Sequence, residues 1–203
     1  MSAVRAVTFD FWDTLFPSLG FDGGRKPADY RVEILKDFLA ERGHDFPASK
    51  LLEAHDRAEE RLLARWRTDM RYSGPDVAVR DMAALLQVEL TESEAGELAE
   101  LFQMTSQVPR IAPFEGVPEL LAGMAGDYRL GIVSDVWLTP GEVLRDIMRG
   151  HGLLDLFEVT AFSDETGYLK PHERQFGVAV EALDVSPAEV VHVGDSERRD
   201  VCG

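Results

Sequence analysis

The segment Val4-Arg5-Ala6-Val7-Thr8-Phe9-Asp10-Phe11-Trp12-Asp13-Thr14-Leu15 decides how the rest of the chain reads. Residues 4–9 are rich in β-branched and apolar side chains, which predicts a buried strand that ends on a carboxylate, Asp10. No second strand signal follows until about residue 128. The stretch between carries four amphipathic helical patterns. They cover 29–42 (Ile34, Leu35, Phe38, Leu39), 49–70 (Leu51, His55, Ala58, Leu62, Trp66), 76–89 (Ala78, Met82, Leu85, Leu86) and 92–106 (Ala95, Leu98, Ala99, Phe102). Thr91 and Glu94 read as a capping box opening the last of these. Gly43, Pro47 and Gly74-Pro75 punctuate the others. Trp66 reads as a core residue of the second helix.

Beyond Pro109 the period changes. A short helix starts near Val117-Pro118. A strand over Tyr128–Val133 ends at Ser134. Thr139-Pro140-Gly141-Glu142 predicts an N-cap, a proline at the first helical position and an acid two residues later, opening a helix to about Gly150. A strand over Phe157–Ala161, a helix over 172–183 and a strand over Val190–Val193 complete the pattern. Strands alternating with helices specify an α/β fold with a Rossmann-like parallel sheet, interrupted after its first strand by an all-helical insertion of roughly 95 residues. The domain division expected is a core of residues 1–16 and 110–203 with a four-helix cap over 17–109.

Four polar residues fall at or just beyond strand ends: Asp10, Ser134, Lys170 and Asp195. In an open parallel sheet the carboxyl ends of the strands line the ligand crevice, so these four side chains are expected at one place. Asp10-Phe11-Trp12-Asp13-Thr14-Leu15, Ser134, Lys170-Pro171-His172 and Gly194-Asp195-Ser196-Glu197-Arg198-Arg199-Asp200 resemble, in order and spacing, the four motifs of the haloacid dehalogenase-like hydrolases. The resemblance runs from residue 4 to 203. The insertion is similar to the helical cap of the branch that holds the dehalogenases and phosphoglycolate phosphatases.

The resemblance implies a hydrolase in which Asp10 is the nucleophile, with Thr14, Ser134 and Lys170 as its catalytic partners. Ser134, Asp135 and Lys170 would contact substrate, Thr14 would hydrogen-bond Asp10, and Asp200 would orient Lys170 or a metal-bound water. A carboxylate can attack phosphorus or carbon to give a covalent intermediate. Asp10, Asp195 and the backbone carbonyl of Trp12 make an open oxygen site suited to Mg²⁺. Glu197, Arg198 and Arg199 read as an exposed helix face. His172 reads as a helix-start residue and His192 as an ordinary strand residue. The five histidines show no zinc-ligand spacing.

The chain departs from the family pattern at Trp12, where the phosphatases carry a second Asp that serves as general acid. The dehalogenases carry an aromatic residue there, because a halide leaves without a proton. Against that, metal-free dehalogenases have an uncharged residue where this chain keeps Asp195. The balance favours a Mg²⁺-dependent phosphatase of a small phosphorylated metabolite. A 2-haloacid dehalogenase and a non-enzymatic binding or regulatory protein on the same fold are the rivals. The chain ends three residues past Asp200, where the family continues with a helix and at least one more strand. The expectation is therefore either a fragment or a sheet trimmed at one edge.

Composition sets the boundaries. With 203 residues the chain accommodates one core domain and an insertion. The net charge of −16 disfavours a nucleic-acid binder, which needs a basic face, and an anionic membrane surface for the same reason, so neither partner is expected. A single cysteine, Cys202, permits no intrachain disulfide. No apolar run reaches the ~20 residues that span a bilayer, and Met1–Phe9 is too short for a signal peptide. A cytoplasmic setting follows as the expectation.

Overall fold

The computed structural model describes residues 3–18, 26–104 and 111–201. Strand β1, Ala6–Phe9, is buried along its whole length and runs through the middle of a four-stranded sheet. Its neighbours are β2 (Arg129–Ser134) and β4 (Val190–Val193), and β3 (Val159–Phe162) lies outside β2. Every pairing is parallel, with Ala6 opposite both Arg129 and Val190 and with Gly131 opposite Val159. All four strands therefore end at one edge. Gly131 is needed in β2, because a Cβ there would meet Val159 at 2.9 Å.

Between β1 and β2 the chain makes four helices: α1 (Pro27–Ala40), α2 (Ala48–Asp69), α3 (Pro75–Leu86) and α4 (Glu92–Met104). They enclose an apolar cluster of their own around Leu35, Phe38, Leu51, Met82, Leu98 and Phe102. The capping box before α4 forms as the sequence indicates: Thr91 N donates to Glu94 Oε2 at 2.8 Å. The end of the 92–106 pattern lies partly outside the described residues. Trp137 and Leu138, from the loop after β2, pack into this helical cluster and tie it to the sheet. A second cluster, with Phe9, Phe11, Phe16, Leu130, Ile132 and Phe162 at its centre, holds the sheet against α5 (Val117–Met124) and α6 (Gly141–Gly150).

Some local expectations need correction. Thr139 does not cap α6; Pro140 is the cap residue and Gly141 the first helical residue. The Gly141 amide donates instead to Asp164 Oδ2 at 2.9 Å, and a Cβ on Gly141 would strike the Phe162 ring, so the helix start is fixed by packing rather than by a hydroxyl. The third strand begins at Val159 because Leu154–Leu156 form a helical turn that Phe157 closes. A short helix, α7 (Ser163–Thr166), and then α8 (Glu173–Ala182) follow β3. His172 is the N-cap of α8. No described helix is long and apolar enough to cross a membrane.

Candidate active site

Asp10 stands where β1 stops, 4% exposed, its amide held by Val193 O at 2.9 Å. Its two carboxylate oxygens are differently engaged. Oδ1 accepts from Phe11 N and from Ser134 Oγ, both at 2.7 Å. Oδ2 faces Lys170 Nζ at 2.9 Å. Ser134 is the last residue of β2 and fully buried. Lys170 follows a loop whose backbone is pinned twice: Leu169 N donates to Met70 O at 3.0 Å, and Lys170 N to Asp135 Oδ1 at 2.9 Å. The Lys170 ammonium is buried and also meets Asp200 Oδ1 at 2.5 Å.

Asp200 lies in a wide helical turn, Glu197–Val201, folded back over Gly194. A Cβ on Gly194 would fall 2.2 Å from the Asp200 carboxyl carbon, so only glycine admits this approach. Burial alone would push the Asp200 carboxyl up. Hydrogen bonds from His192 and Lys170, the Lys170 charge and the Ser196 amide hold it well below the usual carboxylate range. His192 Nε2 reaches Asp200 Oδ1 at 3.1 Å, and its Nδ1 reaches Thr8 Oγ1 at 2.9 Å. An ionised carboxylate only accepts, so Nε2 carries a proton and donates to Asp200. A connected row thus runs from Thr8 through His192, Asp200 and Lys170 to Asp10 and Ser134.

The sequence reading placed His192 in a strand and gave it no part here. The missed signal was a polar residue opposite Thr8 in the adjacent strand. Gln175 was also missed: its amide donates to Ser134 O and Ala161 O, both at 3.2 Å, and so fixes the ends of β2 and β3. Its position one helical turn before buried Ala179 marks it as inward-facing.

Thr14 does not bond Asp10. The chain after Asp10 folds into a tight turn in which Leu15 N and Phe16 N both donate to Phe11 O at 3.0 Å. Asp13 adopts φ +56 within it, and Thr14 Oγ1 is left buried without a partner. The Asp13 carboxylate is taken by Ser18, from N at 2.9 Å and from Oγ at 2.6 Å. Trp12 is half-buried, edge-on to Phe11, and lines a cavity of about 460 Å³ between the sheet edge and the helical insertion. Asp135 lines the same cavity, its carboxyl raised to about 6 by burial. Trp66 and Arg199 line it too, so neither the core placement of Trp66 nor the solvent-facing placement of Arg199 holds.

Asp10, Asp195 and Asp200 each bring a carboxylate oxygen within 4.8 Å of the others. Asp195 is exposed, and partial burial and the Asp10 charge raise its carboxyl. The Asp200 oxygens are occupied by Lys170, His192 and the Ser196 amide. Asp195 and Asp10, with the Trp12 carbonyl, which accepts no hydrogen bond from the described residues, are hard oxygen donors open on one side. They fit Mg²⁺, which keeps several waters and few protein ligands.

Comparison with known proteins agrees with this geometry. Residues 4–202 match the family model described as haloacid dehalogenase-like hydrolase. The pyrimidine 5'-nucleotidase YjjG of Escherichia coli is 29% identical over 111 residues, which are 54% of this chain and 48% of the nucleotidase. The chain thus spans about half the length of that curated relative. Among solved structures, the HAD-hydrolase YfnB of Bacillus subtilis, bound to magnesium, superposes with a TM-score of 0.67 at 17% identity, covering 99% of this chain and 84% of that one. A 2-haloacid dehalogenase from Pseudomonas syringae gives 0.66 at 23% identity, covering 98% and 81%. At these identities the structural likeness concerns the fold.

Proposed function

Because the chain belongs to the haloacid dehalogenase-like hydrolase family, we propose that it is a Mg²⁺-dependent phosphatase of small phosphorylated metabolites, acting through an aspartyl-phosphate on Asp10. The observation that carries this reading is a charge imbalance. Three carboxylates share one locus, and one lysine ammonium faces two of them. An anionic substrate entering such a site requires a further cation. The helical insertion, residues 17–109, serves as the cap over a core of residues 1–16 and 110–203.

Asp10, Asp195 and the Trp12 carbonyl would hold the metal, which supplies charge neutralisation between the carboxylates and the phosphoryl oxygens. An Asp10 oxygen forms a bond to phosphorus as the bond from phosphorus to the alcohol oxygen breaks, the leaving oxygen keeping the electron pair. Water then attacks phosphorus as the bond from phosphorus to the Asp10 oxygen breaks; phosphate departs, the Asp10 carboxylate is restored, and solvent takes up the water's proton and supplies the one the leaving alkoxide gains. Ser134 and Lys170, both within reach of Asp10, would hold phosphoryl oxygens. Thr14 Oγ1, buried and unpaired, is a further donor available at the turn. His192 and Asp200 keep Lys170 aimed.

The leaving alcohol takes its proton without help from residue 12, since an indole N–H is too weak an acid. The bonds from Ser18 to Asp13 withhold the neighbouring carboxylate as well. Trp12 is the specific observation that favours the second reading, a 2-haloacid dehalogenase, whose leaving group needs no proton. A panel of alkyl, aryl and acyl phosphates and 2-haloacids, assayed with Mg²⁺ and with EDTA, separates them. Phosphate release that EDTA abolishes is expected; halide release that survives EDTA would replace this reading with the dehalogenase. Asp195→Asn should weaken Mg²⁺ binding in calorimetry while leaving the protein folded.

A further inference from the structure

The arginines of this chain divide by their partners. Nine of them meet a carboxylate within 3.6 Å, as a chain with 37 acidic and 21 basic residues makes easy. Arg31 has the Glu59 charge acting on it through space. Arg67, Arg71, Arg174, Arg198 and Arg199 form no ion pair among the described residues, and they lie along one seam.

At that seam the end of α2 is sewn to the loop that delivers Lys170. Leu169 N donates to Met70 O at 3.0 Å, and Tyr72 N to Gly167 O at 3.1 Å. The Tyr168 ring of that loop faces two guanidinium groups, Arg71 at 5.0 Å and Arg174 at 5.2 Å from its centre. Arg174 Nη1 also donates to the Tyr168 hydroxyl at 2.7 Å. Arg198, from the turn after β4, donates Nη2 to Arg67 O at 3.4 Å. Arg67, Arg198 and Arg199 then line a cavity of about 270 Å³ with Trp66, Lys170 and Ser196.

Local structure accounts for part of this gathering. The carbonyl end of a helix attracts cations, and it occupies one nitrogen of Arg198. Arg199 acts through space on Asp135 and Asp195. Arg67 and Arg198 are left without an anion. Asp69, Glu173 and Glu197 adjoin the five arginines in sequence, yet form no ion pair among the described residues. Of the residues lining the cavity only Asp135 is acidic, and its Oδ1 is held by Lys170 N. Like charges repel, so a fold rich in acids that leaves these cations together leaves room for an anion between them. The guanidinium fork matches the oxygens of phosphate or sulfate through paired N–H bonds. At about 270 Å³ the cavity is smaller than the roughly 300–1,000 Å³ of sites that enclose whole small molecules, which suits a single anionic group.

We propose that this seam is a second anion site, which binds a tetrahedral dianion of the phosphate or sulfate class between Arg67 of the helical insertion and Arg198 of the core, with Arg199 beside them. A dianion there ties the insertion to the core next to the loop that carries Lys170. Its standing as second to a catalytic phosphoryl position rests on the phosphatase reading; the seam site itself does not.

The wild-type chain is titrated with sulfate by calorimetry, in EDTA and at constant ionic strength set with sodium chloride. Without metal the carboxylates at the sheet edge repel an anion, so sulfate reads the seam. One sulfate should bind per chain, with half-saturation on the order of 1 mM. Methanesulfonate, which carries one charge, should bind about tenfold more weakly. Arg67 and Arg198 are exposed, so both tolerate substitution. Arg67→Gln and Arg198→Gln should each weaken sulfate binding by about tenfold or more, the scale of a hydrogen bond between charged groups. Arg80→Gln, at an arginine already paired with Glu92, should leave it unchanged. No saturable binding, or binding that both Arg67→Gln and Arg198→Gln retain, would overturn the seam site.

A second arm finds where the dianion comes from. The ratio kcat/KM is measured for monophosphates of straight diols two to six carbons long and for the matching bisphosphates. A bisphosphate advantage of about tenfold that Arg198→Gln removes, with the monophosphate rate unchanged, places the dianion on the substrate. Equal rates for the two series, with sulfate bound, make it a free ligand of the seam. Sulfate binding with no ester cleaved would leave the seam site standing and remove the phosphatase reading. Esters cleaved with no sulfate bound would overturn the seam site alone.

Discussion

The polar groups at the sheet edge and those around the neighbouring cavity are treated differently. At the sheet edge Asp10, Ser134, Lys170, Asp200, His192 and Thr8 satisfy one another in one hydrogen-bonded row. On the helical side Arg31, His55, Trp66 and Trp137 each leave a buried nitrogen unpaired. A closed network holds its members in place and is complete without a ligand, which suits groups that must be aimed before substrate arrives. The unpaired nitrogens of the second set lie inside the packing and hold no group in a fixed orientation. On this account the chemistry sits on the sheet.

The comparison can be broken hardest at the closed side. Asp10→Asn should reduce kcat by roughly 10⁴-fold or more, since the amide cannot form the covalent bond to phosphorus assigned to Asp10. The fold should persist, because the amide oxygen still accepts from Ser134 and Phe11. Steady-state kinetics with a thermal melt checks both halves of that statement. The cavity wall comes next. With Trp12 in place of an acid, aryl phosphates should outrun alkyl phosphates on the order of 10²–10⁴-fold. Trp12→Asp should narrow the gap, and equal wild-type rates with chemistry rate-limiting would show that another group supplies the proton.

Stability probes the closure itself. Lys170→Met leaves Asp10 and Asp200 buried near each other without their shared cation. Urea unfolding in the absence of divalent metal should lose about 3–5 kcal/mol. The smallest effect belongs to Asp135, on the border of the two sides. Its folded pKa of about 6 lies above the ordinary carboxylate value, so the fold favours its protonated form. Its contribution is full below about pH 4 and declines as pH rises through about 6. Asp135→Asn, whose carbonyl can still accept from Lys170 N, should therefore gain about 1–3 kcal/mol over wild type at pH 7 and nothing at pH 4. A difference independent of pH would mean that Asp135 does not titrate in this range.

The same division explains what the amino-acid sequence revealed. Asp10, Ser134 and Asp195 were legible because strand periodicity places them at or next to strand ends, and a parallel sheet gathers such ends; Lys170 comes in from the loop beyond α7. Lys170 and Asp200, which the motif spacing pairs with each other or with a metal-bound water, lie 2.5 Å apart. Three features were not legible. Thr14 belongs to a turn, with Asp13 at positive φ, in which its hydroxyl is buried without a partner. His192 looked like strand filler because its partners, Thr8 and Asp200, are defined by register and by the fold of a later turn over Gly194. Arg31 and Trp66 sit on helical faces at spacings that read as core. Nothing local distinguishes a helix face that meets a neighbour from one that meets a cavity. The loop carrying Trp137 completes that cavity from more than a hundred residues away in sequence, and only the tertiary packing brings it there.

The central claim is that Asp10 carries the phosphoryl group between substrate and water. It is tested most directly by rapid acid quench of the wild-type protein turning over an aryl phosphate with a radiolabelled phosphoryl group, followed by peptide mapping. The account predicts a burst of protein-bound label that maps to the peptide containing Asp10 and that is missing from Asp10→Asn. Turnover at full rate with no bound label at any quench time, or equal labelling of Asp10→Asn, would contradict it.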